Sequence, residues 1–471
     1  GTSMTLNLGN IANNKITGIE RIDMVSTGLA SKSMLHLTTA DLRAMTDGRN
    51  TINAVNTANT LFIDGDASDK VVIGDAWKVM ASQTFSGNTY RVFENDTGRI
   101  YVDFDIDTVA VPDVTELGAQ GTGFVIQGTV SSDNLGSAVA GGDYNGDGFA
   151  DVLVGAKLAA GIGAGYVVYG GASPAALVPS SGASVTFSGI DASDQTGQSA
   201  SAVGDFNGDG YGDFIIGAPL ADGDSGNTLL NAGEVYLVFG GTPTTPATIP
   251  LGSMTTEGVI LGGINGFDRA GFSVGGAGDF NGDGLSDVIV GIPRWTGGGA
   301  EAGRASVVFG TTSPTSHTVN YGGSSVSFNF TGYNANEHWG QSVAGGGDID
   351  GDGLDDIVIG GYGANGSNAG SALVVFGRNE IPGANTQSIP TGSSNLEYLG
   401  AFRLNGYAFN QVGYSVAVIG DINGDGFSEF AVSAPDGMED ERGVVFVVFG
   451  GEGLVGEEVS AWSIGTAAMG E

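Results

Sequence analysis

Five nine-residue segments, each rich in aspartate, asparagine and glycine, recur between residues 143 and 429 and constrain the fold more than any other feature. Each carries an oxygen-bearing side chain at positions 1, 3, 5 and 9, and glycine at positions 4 and 6. Glycine allows backbone conformations that a Cβ would penalise, so each segment turns sharply enough to gather its side chains around one point. The segments, called the acidic loops below, span residues 143–151, 205–213, 279–287, 348–356 and 421–429.

The side chains of the acidic loops form the ligand set that a hard divalent cation needs. Ca²⁺ takes six or more oxygen ligands, and a backbone carbonyl at position 7 can complete the ring. Oxygen donors without nitrogen or sulfur favour Ca²⁺ over zinc or copper. We therefore predict about five Ca²⁺ ions, one for each loop. The predicted ligands are Asp143, Asn145, Asp147, Phe149, Asp151, Asp205, Asn207, Asp209, Tyr211, Asp213, Asp279, Asn281, Asp283, Leu285, Asp287, Asp348, Asp350, Asp352, Leu354, Asp356, Asp421, Asn423, Asp425, Phe427 and Glu429.

The acidic loops differ from the calcium loop of an EF-hand, which needs a bidentate glutamate at position 12 and flanking helices. Apolar residues follow position 9 in each loop, which predicts short buried strands and places the ion in a turn between two strands. The alternative is a hairpin turn of aspartate, asparagine and glycine without a metal. Repulsion among the three or four carboxylates of each loop argues against that alternative. At position 12 the loops carry Val154, Ile216, Val290, Ile359 and Val432.

The charge and composition of the chain exclude several classes of partner. The formal net charge is −36, from 52 acidic and 16 basic residues, so neither nucleic acid nor an anionic membrane surface is an expected partner. The absence of cysteine excludes disulfides, and no apolar run is long enough to predict membrane insertion. The acidity suits a soluble extracellular protein. We expect a monomeric module of a larger protein.

A longer pattern repeats around the acidic loops, which begin 62 to 74 residues apart. A glycine close to a serine, as in Gly197-Gln198-Ser199, leads into the loop, and a glycine-bounded apolar strand, as in 233–240, follows it. Each unit has room for about four short strands and shows no amphipathic helix. Such units repeated around an axis form a β-propeller, which protects most sheet edges. The repeated glycine and aromatic positions are therefore interpreted as residues that pack the blades.

The leading glycine, the acidic loop and a downstream Gly-Ala-Pro triplet, as in 217–219, together resemble the FG-GAP repeat, which forms the blades of the integrin α-subunit head. The resemblance covers roughly residues 126–450. It implies a propeller with Ca²⁺ in hairpin loops on one face, and it implies a role in adhesion. This chain departs from the repeat because two units lack the proline, because the aromatic residue before the leading glycine survives only as Trp339, and because Glu429 replaces aspartate at position 9.

Residues 1–125 lack the acidic loops but also have the pattern of β-strands, for example at Met34–Leu37 and 90–93. The segment 61–74, with Trp77 after it, resembles part of very large bacterial surface adhesins. This likeness, together with the repeats, predicts an origin in such an adhesin.

The chain is predicted to be an all-β, seven-bladed β-propeller with four-stranded blades, because integrin-type propellers have seven blades. Residues 1–125 would supply two diverged blades, and 126–471 would supply the five calcium-binding repeats. The alternative is five blades preceded by a separate N-terminal β-domain. Ring closure is predicted to pair 5–8 with a strand near 459–464.

The predicted function is binding, not catalysis. The three histidines lie in different regions, and the Gly-x-Ser-x-Gly sequence at 271–275 leads into an acidic loop, whereas a nucleophile elbow joins a strand to a helix. A rigid ring with loops of variable length suits recognition. We expect an extracellular or cell-surface module that binds a protein or glycan and is not an enzyme. The alternatives are a polysaccharide lyase or hydrolase on a propeller scaffold and a structural surface-layer or spacer module.

Overall fold

The computed structural model describes residues 124–464 apart from 173–176, 224–228, 242–246, 264, 315–326, 380–385, 391–394 and 438–442, and before residue 124 it describes the strands. The chain divides into two compact units. The N-terminal unit comprises Gly1–Val125 with Ala175–Leu177, and the repeat unit comprises Ile126–Pro174 with Val178–Glu471. Both units are built from β-strands, so the fold is all-β, as predicted.

The N-terminal unit contains two larger sheets and one hairpin. Its described strands are β1 (Thr5–Asn7), β2 (Arg21–Met24), β3 (Met34–Leu37), β4 (Thr51–Ile52), β5 (Val55–Asn56), β6 (Thr60–Gly65), β7 (Lys70–Ile73), β8 (Lys78–Phe85), β9 (Asn88–Asn95), β10 (Gly98–Asp103) and β11 (Asp107–Ala110). One sheet has the order β1-β3-β7-β11, with parallel neighbours throughout. The other has the order β2-β6-β10-β9-β8, in which β2, β6 and β10 run parallel. β4 and β5 form the hairpin.

The remaining strands belong to the repeats. They are β12 (Val125–Gln127), β13 (Leu135–Gly142), β14 (Asp151–Ala156), β15 (Ala164–Val168), β16 (Leu177–Pro179), β17 (Val185–Ser188), β18 (Ser199–Gly204), β19 (Asp213–Ala218), β20 (Glu234–Val238), β21 (Ala247–Pro250), β22 (Gly258–Gly262), β23 (Ser273–Gly278), β24 (Asp287–Ile292), β25 (Arg304–Val308), β26 (Ser327–Thr331), β27 (Ser342–Gly347), β28 (Asp356–Gly361), β29 (Ser371–Val375), β30 (Thr386–Ser388), β31 (Ala401–Asn405), β32 (Val416–Gly420), β33 (Glu429–Ala434), β34 (Val444–Val448) and β35 (Glu458–Ser460). A single helical turn, α1 (Leu396–Leu399), lies between β30 and β31.

Each repeat forms one antiparallel sheet in which strands that follow one another are neighbours. The orders are β13-β14-β15-β17, β18-β19-β20-β22, β23-β24-β25-β26, β27-β28-β29-β31 and β32-β33-β34. The second and third strands are apolar runs, and in β19 and β20 every residue is buried, as expected for strands covered on both faces. The first strands of consecutive sheets pack against one another. This is the arrangement of consecutive blades in a β-propeller, which confirms the predicted fold class.

Large apolar side chains fill the spaces between neighbouring blades. Phe328, Phe330 and Trp339 are buried between the third and fourth sheets, together with Phe280 from position 2 of the third acidic loop. Position 2 is also buried in the first, second and fourth loops, so this residue anchors four of the loops to the core, whereas Ile422 in the fifth loop is exposed. The aromatic residues at position 2 therefore pack the blades. The buried residues at position 2 are Tyr144, Phe206, Phe280 and Ile349.

A row of serine hydroxyls joins each blade to the next. Ser199 Oγ donates to the Gly271 carbonyl at 2.8 Å, and Ser273 Oγ donates to the Gly340 carbonyl at 3.0 Å. Gly340 has a φ of 82°, and a Cβ on it would lie 2.1 Å from the Arg304 carbonyl oxygen, so only glycine fits there. The glycine and serine of each leading sequence thus form a bond between blades. Two further pairs make the same bond, Ser137 with Gly197 and Ser342 with Gly413.

Short outer strands extend several sheets beyond the four that the sequence predicts. β21, from the second repeat, pairs in parallel with β17 of the first repeat. β30 pairs in the same way with β26, and β35 pairs with β31. Each outer strand comes from the repeat that follows the sheet it joins. Neighbouring blades are therefore linked by backbone hydrogen bonds as well as by apolar packing.

The described pairs join β1 to β3 and β35 to β31, each at the edge of its sheet, and the ring closure stays a prediction. Strands β3 and β9 lie where the sequence predicts strands, at 34–37 and 90–93. The parallel pairs of the N-terminal unit differ from the antiparallel order of the repeats. The assignment of residues 1–125 to two blades, and with it the count of seven, stays a prediction.

Candidate metal centres

All five acidic loops lie at one end of the repeat sheets, because each connects the first strand of its sheet to the second. The second strand starts at position 9 of the loop, as in β19 at Asp213, which pairs with Gly204 at the end of β18. The glycines at positions 4 and 6 have φ between 72° and 96° in every loop. The tight, left-handed turn that the sequence predicts is therefore present.

Hydrogen bonds inside each loop turn its oxygens toward a common centre, as the second loop illustrates. The Asp205 carboxylate accepts the N–H groups of Asp209 and Gly210 at 3.0 and 2.8 Å. Asn207 Oδ1 accepts the Asp209 N–H at 2.9 Å, and Asp209 Oδ1 accepts the Tyr211 N–H at 3.0 Å. Asp205 Oδ1 also accepts the Gly208 N–H at 2.7 Å. Asp205 Oδ2, Asn207 Oδ1 and Asp209 Oδ1 each keep a lone pair that can face a cation. The Tyr211 carbonyl, at position 7, remains available to complete a ligand ring.

The other four loops repeat these bonds. In each, position 1 accepts from positions 5 and 6, position 3 accepts from position 5, and position 5 accepts from position 7. Position 5 is exposed and position 9 is buried in every loop. The hydrogen bonds thus bring together the side chains at positions 1, 3 and 5 within each loop, with one side exposed to solvent.

The carboxylate at position 9 is buried and ties the loop to the blade. Asp213 accepts the Phe206 N–H at 2.9 Å and the Gly240 N–H at 2.8 Å, and it is 1% exposed. Burial raises the pKa of Asp213 to about 7, and these backbone hydrogen bonds oppose the shift. Burial likewise raises the pKa of Asp287 to about 7 and that of Asp356 to about 8. A nearby cation would restore the ionised form of these carboxyl groups.

No basic side chain among the described residues forms a salt bridge with an acidic loop. The salt bridges of this part of the chain join Arg294 and His338 to Glu301, away from the loops. Three carboxylates approach within 4.8 Å of one another in the fourth loop, at positions 1, 3 and 9, and in the fifth, at positions 1, 5 and 9. Uncompensated carboxylates at this distance repel strongly, and a divalent cation fits the donor set.

The fifth loop differs at position 9, where glutamate replaces aspartate. Glu429 accepts the Ile422 N–H at 2.7 Å and the Asn423 side-chain amide at 3.3 Å. In the other loops the aspartate also accepts an N–H from a glycine after the third strand, as Asp356 does from Gly377 at 2.8 Å. The corresponding bond to Gly450 does not occur among the described residues. The additional methylene thus turns the carboxylate into the loop and away from the third strand.

The Gly-x-Ser-x-Gly sequence has a structural place in the blades. Ser273 begins β23, and its hydroxyl donates to the Gly340 carbonyl in the bond between blades described above. Of the three histidines, His36 lies in β3, and His338 stacks on Tyr362 with ring centroids 4.7 Å apart. Burial lowers the pKa of His338. Ser273 and His338 thus make separate contacts, and His338 also lies 3.8 Å from the Glu301 carboxylate.

The end of the blades opposite the acidic loops carries exposed aromatic residues that the sequence analysis missed. The connections from the second to the third strand, and from the fourth strand to the next blade, lie at this end because the sheets are antiparallel. Gly-aromatic pairs follow the fourth strands at 266–267, 332–333 and 406–407, and this signal could have revealed them. The aromatic residues of these pairs are Phe267, Tyr333 and Tyr407, and Phe409 lies two residues after the last of them. The side chains of all four are between 57% and 69% exposed.

Comparison with known proteins agrees with the blade structure. The sequence pattern of the FG-GAP repeat matches residues 135–168, 197–238, 270–308 and 412–448. The chain therefore carries FG-GAP repeats, as predicted. The fourth blade lies outside these matches, but its strand order and loop hydrogen bonds are those of the other blades. We identify it as a further repeat of the same kind.

The chain is similar to integrin α-subunits. It is 33% identical over 176 residues to integrin alpha-PS2 of Drosophila melanogaster, and the matched region covers 37% of this chain and 11% of that protein. It is 30% identical over 270 residues to integrin alpha-5 of Xenopus laevis, covering 56% and 23%. A human phosphatidylinositol-glycan-specific phospholipase D is 31% identical over 183 residues, covering 37% and 20%. The chain thus spans less than a quarter of the length of these relatives, and its blades are similar to the FG-GAP repeats of integrin α-subunits.

Proposed function

We propose that this chain is a calcium-stabilised, extracellular binding module that recognises a protein or glycan ligand. The observation that carries the proposal is that the two ends of the blades carry different side chains. One end holds the acidic loops, and the other exposes aromatic side chains on the turns between blades, including Tyr407 and Phe409. Aromatic residues supply large contact areas and are enriched where proteins bind one another.

Calcium would act on the scaffold, because the acidic loops lie at the end remote from these aromatic side chains. About five ions, held by positions 1, 3, 5, 7 and 9 of the loops, would neutralise the buried carboxylates and hold the first two strands of each blade together. The turns at the opposite end depend on the same strands for their positions. Binding should therefore require calcium even though no ion touches the ligand.

Adhesion is the role that the relatives suggest, since integrin α-subunits resemble the chain over the blades. We further propose that the chain is a monomeric module of a large bacterial adhesin and that it lies outside the cell or at the cell surface. The net charge of −36 favours partners that are not anionic, and so disfavours nucleic acid. None of the helices in the described part of the chain has the length and hydrophobicity needed to span a membrane.

A catalytic role is the competing proposal, because the relatives include a phospholipase D. The residues described above give it no support. The Ser273 hydroxyl donates to the Gly340 carbonyl of the next blade, and the carboxylates of the acidic loops accept backbone N–H groups of their own loops. The experiment that separates the two is a binding assay combined with a search for products. Saturable binding without product supports the module, whereas released sugars or lipid products would move the chain into an enzyme class.

The binding experiment uses a glycan array and a cell-adhesion assay, each in calcium and in EDTA. Phe409→Ser should weaken the interaction, because Phe409 is 69% exposed on a turn at the proposed binding end. Phe449→Ser is the matched control, since Phe449 is 58% exposed but follows β34 at the end that carries the acidic loops. Equal losses for both variants, or binding that persists in EDTA, would contradict the proposal.

A further inference from the structure

A cavity of about 570 Å³ opens beside the third and fourth blades, between the turn after β26 and α1. Its walls come from the turn after β26, from β30 with the two residues that follow it, and from α1. The polar and aromatic residues that line it are Tyr333, Thr386, Gln387, Ser388, Asn395 and Tyr398. This cavity is called the rim groove below.

Two tyrosines give the rim groove broad apolar faces that solvent reaches. Tyr333 is 63% exposed and Tyr398 is 74% exposed. The floor beneath them is buried, with Ile389 and Leu399 each 3% exposed. A tyrosine ring held at a surface in this way combines an apolar face with a polar hydroxyl, which suits it to contact an amphipathic ligand.

The walls of the rim groove are held by hydrogen bonds to the blades. The Ile389 N–H donates to the Thr331 carbonyl at 2.8 Å, and the Leu399 N–H donates to the Asn395 carbonyl at 2.9 Å. Arg403 donates to the Pro390 carbonyl, and Arg378 donates to the Leu399 carbonyl. A ligand would therefore meet walls that are already ordered, which lowers the entropic cost of binding.

The chemistry of the lining selects the class of ligand. Among the described residues that line the rim groove, none carries a charged side chain, although two arginines support its walls from behind. In a chain with a net charge of −36, an anionic ligand is repelled and a cation finds no carboxylate within the groove. A peptide adding to the free edge of β30 would meet a strand of three residues, followed closely by Pro390. An uncharged ligand with apolar faces and many hydroxyl groups remains.

We propose that the rim groove binds a neutral saccharide, with a pyranose ring stacked on Tyr333 or Tyr398. The C–H faces of the sugar would cover a tyrosine ring, and its hydroxyls would reach the amide and hydroxyl groups of Gln387, Asn395 and Thr386. The proposal rests on the proposed function, because it names the ligand class and the place of contact for the same binding module.

The test uses the whole calcium-loaded chain and an array of neutral and anionic oligosaccharides, followed by calorimetry with the neutral oligosaccharide that binds most tightly. The double variant Tyr333→Ala/Tyr398→Ala should weaken binding by roughly tenfold or more, the loss expected when a stacked aromatic face is removed, and one of the two single variants should account for most of that loss. Tyr398→Phe keeps the ring and should bind nearly as the unaltered chain does. Phe449→Ala is the matched control, because Phe449 is 58% exposed but follows β34 at the end that carries the acidic loops, away from the groove. All the altered tyrosines are exposed, so melting temperatures should remain unchanged.

Several results would overturn the rim-groove proposal while leaving the binding module intact. The first is an array on which the chain binds anionic sugars alone. The second is a double variant that still binds the neutral sugar as tightly as the unaltered chain. The third is calcium-dependent cell adhesion by a chain that binds no sugar on the array. A chain that binds neither the array nor cells, in calcium, would overturn both proposals together.

Discussion

Replacing Asp213 by asparagine should have opposite effects on stability with and without calcium. Asp213 is buried at position 9 of the second acidic loop, and burial raises its pKa from 3.8 to about 7. At pH 8 without a cation, the ionised carboxyl group therefore costs about 4 kcal/mol relative to the unfolded chain. Asp213→Asn removes this cost but gives up one acceptor for the N–H of Phe206 or Gly240, a loss of about 1–3 kcal/mol. The metal-free variant should accordingly be more stable, by roughly 1–3 kcal/mol.

In calcium the same substitution should destabilise the fold. A site filled at 1,000 times its Kd contributes about 4.1 kcal/mol if the ion binds only the folded chain. Asparagine removes a charged ligand from that site, and the loss of this contribution exceeds the roughly 1–3 kcal/mol gained in the metal-free chain. Thermal unfolding of both proteins at pH 8, in excess calcium and in EDTA, measures the two effects. The variant should melt at a higher temperature than the unaltered chain in EDTA and at a lower temperature in calcium.

Asp194→Asn is the matched control for this experiment. Asp194 is also buried, with a pKa raised to about 6 by burial, but it lies outside the acidic loops and accepts the Asp191 N–H. Its effect on stability should be the same in calcium and in EDTA. If Asp213→Asn destabilises the fold equally in both conditions, position 9 is a structural residue alone and the reasoning fails.

Three further outcomes are expected. In the fifth loop, where glutamate stands at position 9, Asp425→Ala should cost less calcium-dependent stability than Asp209→Ala, and equal losses in calcium titrations would contradict this. In EDTA, buried carboxyl groups such as Asp287 bind more protons in the folded state, because their pKa is about 7 when folded and 3.8 when unfolded. The free energy of unfolding, measured with denaturant, should therefore rise as the pH falls from 8 toward about 5. A decrease over this pH range would contradict the prediction. A fragment of residues 121–471 should aggregate if the N-terminal residues supply two blades, whereas a soluble fragment that melts cooperatively, by calorimetry, indicates a separate domain.

The sequence predicts the acidic loops and the strands beside them because their spacing fixes their geometry. Glycine at positions 4 and 6 imposes the turn, and an apolar run such as 214–218 has the length and β-branching of a buried strand. The repetition of both features along the chain then indicates blades. These interactions are local, so they can be read without knowing how the chain is folded elsewhere.

The contacts between repeats were not predictable in the same way. The outer strands β21 and β30 have only four and three residues, and their partners lie in the preceding repeat, so periodicity carries no signal for them. The shared sequence Ile-Pro at 249–250 and 389–390 marks where these strands end, since proline favours the edge of a sheet. The rim groove also depends on residues brought together from separate repeats.

The direct test of the account is the number of calcium ions that the folded chain binds. Atomic emission spectroscopy of the protein after dialysis against calcium, with calorimetric titration of the EDTA-treated and then EDTA-free protein, gives that number and the affinity. We expect about five ions for each chain, one for each acidic loop, and a melting temperature that rises as they bind. A chain that retains no calcium and melts at the same temperature in calcium and in EDTA would contradict the proposed metal centres.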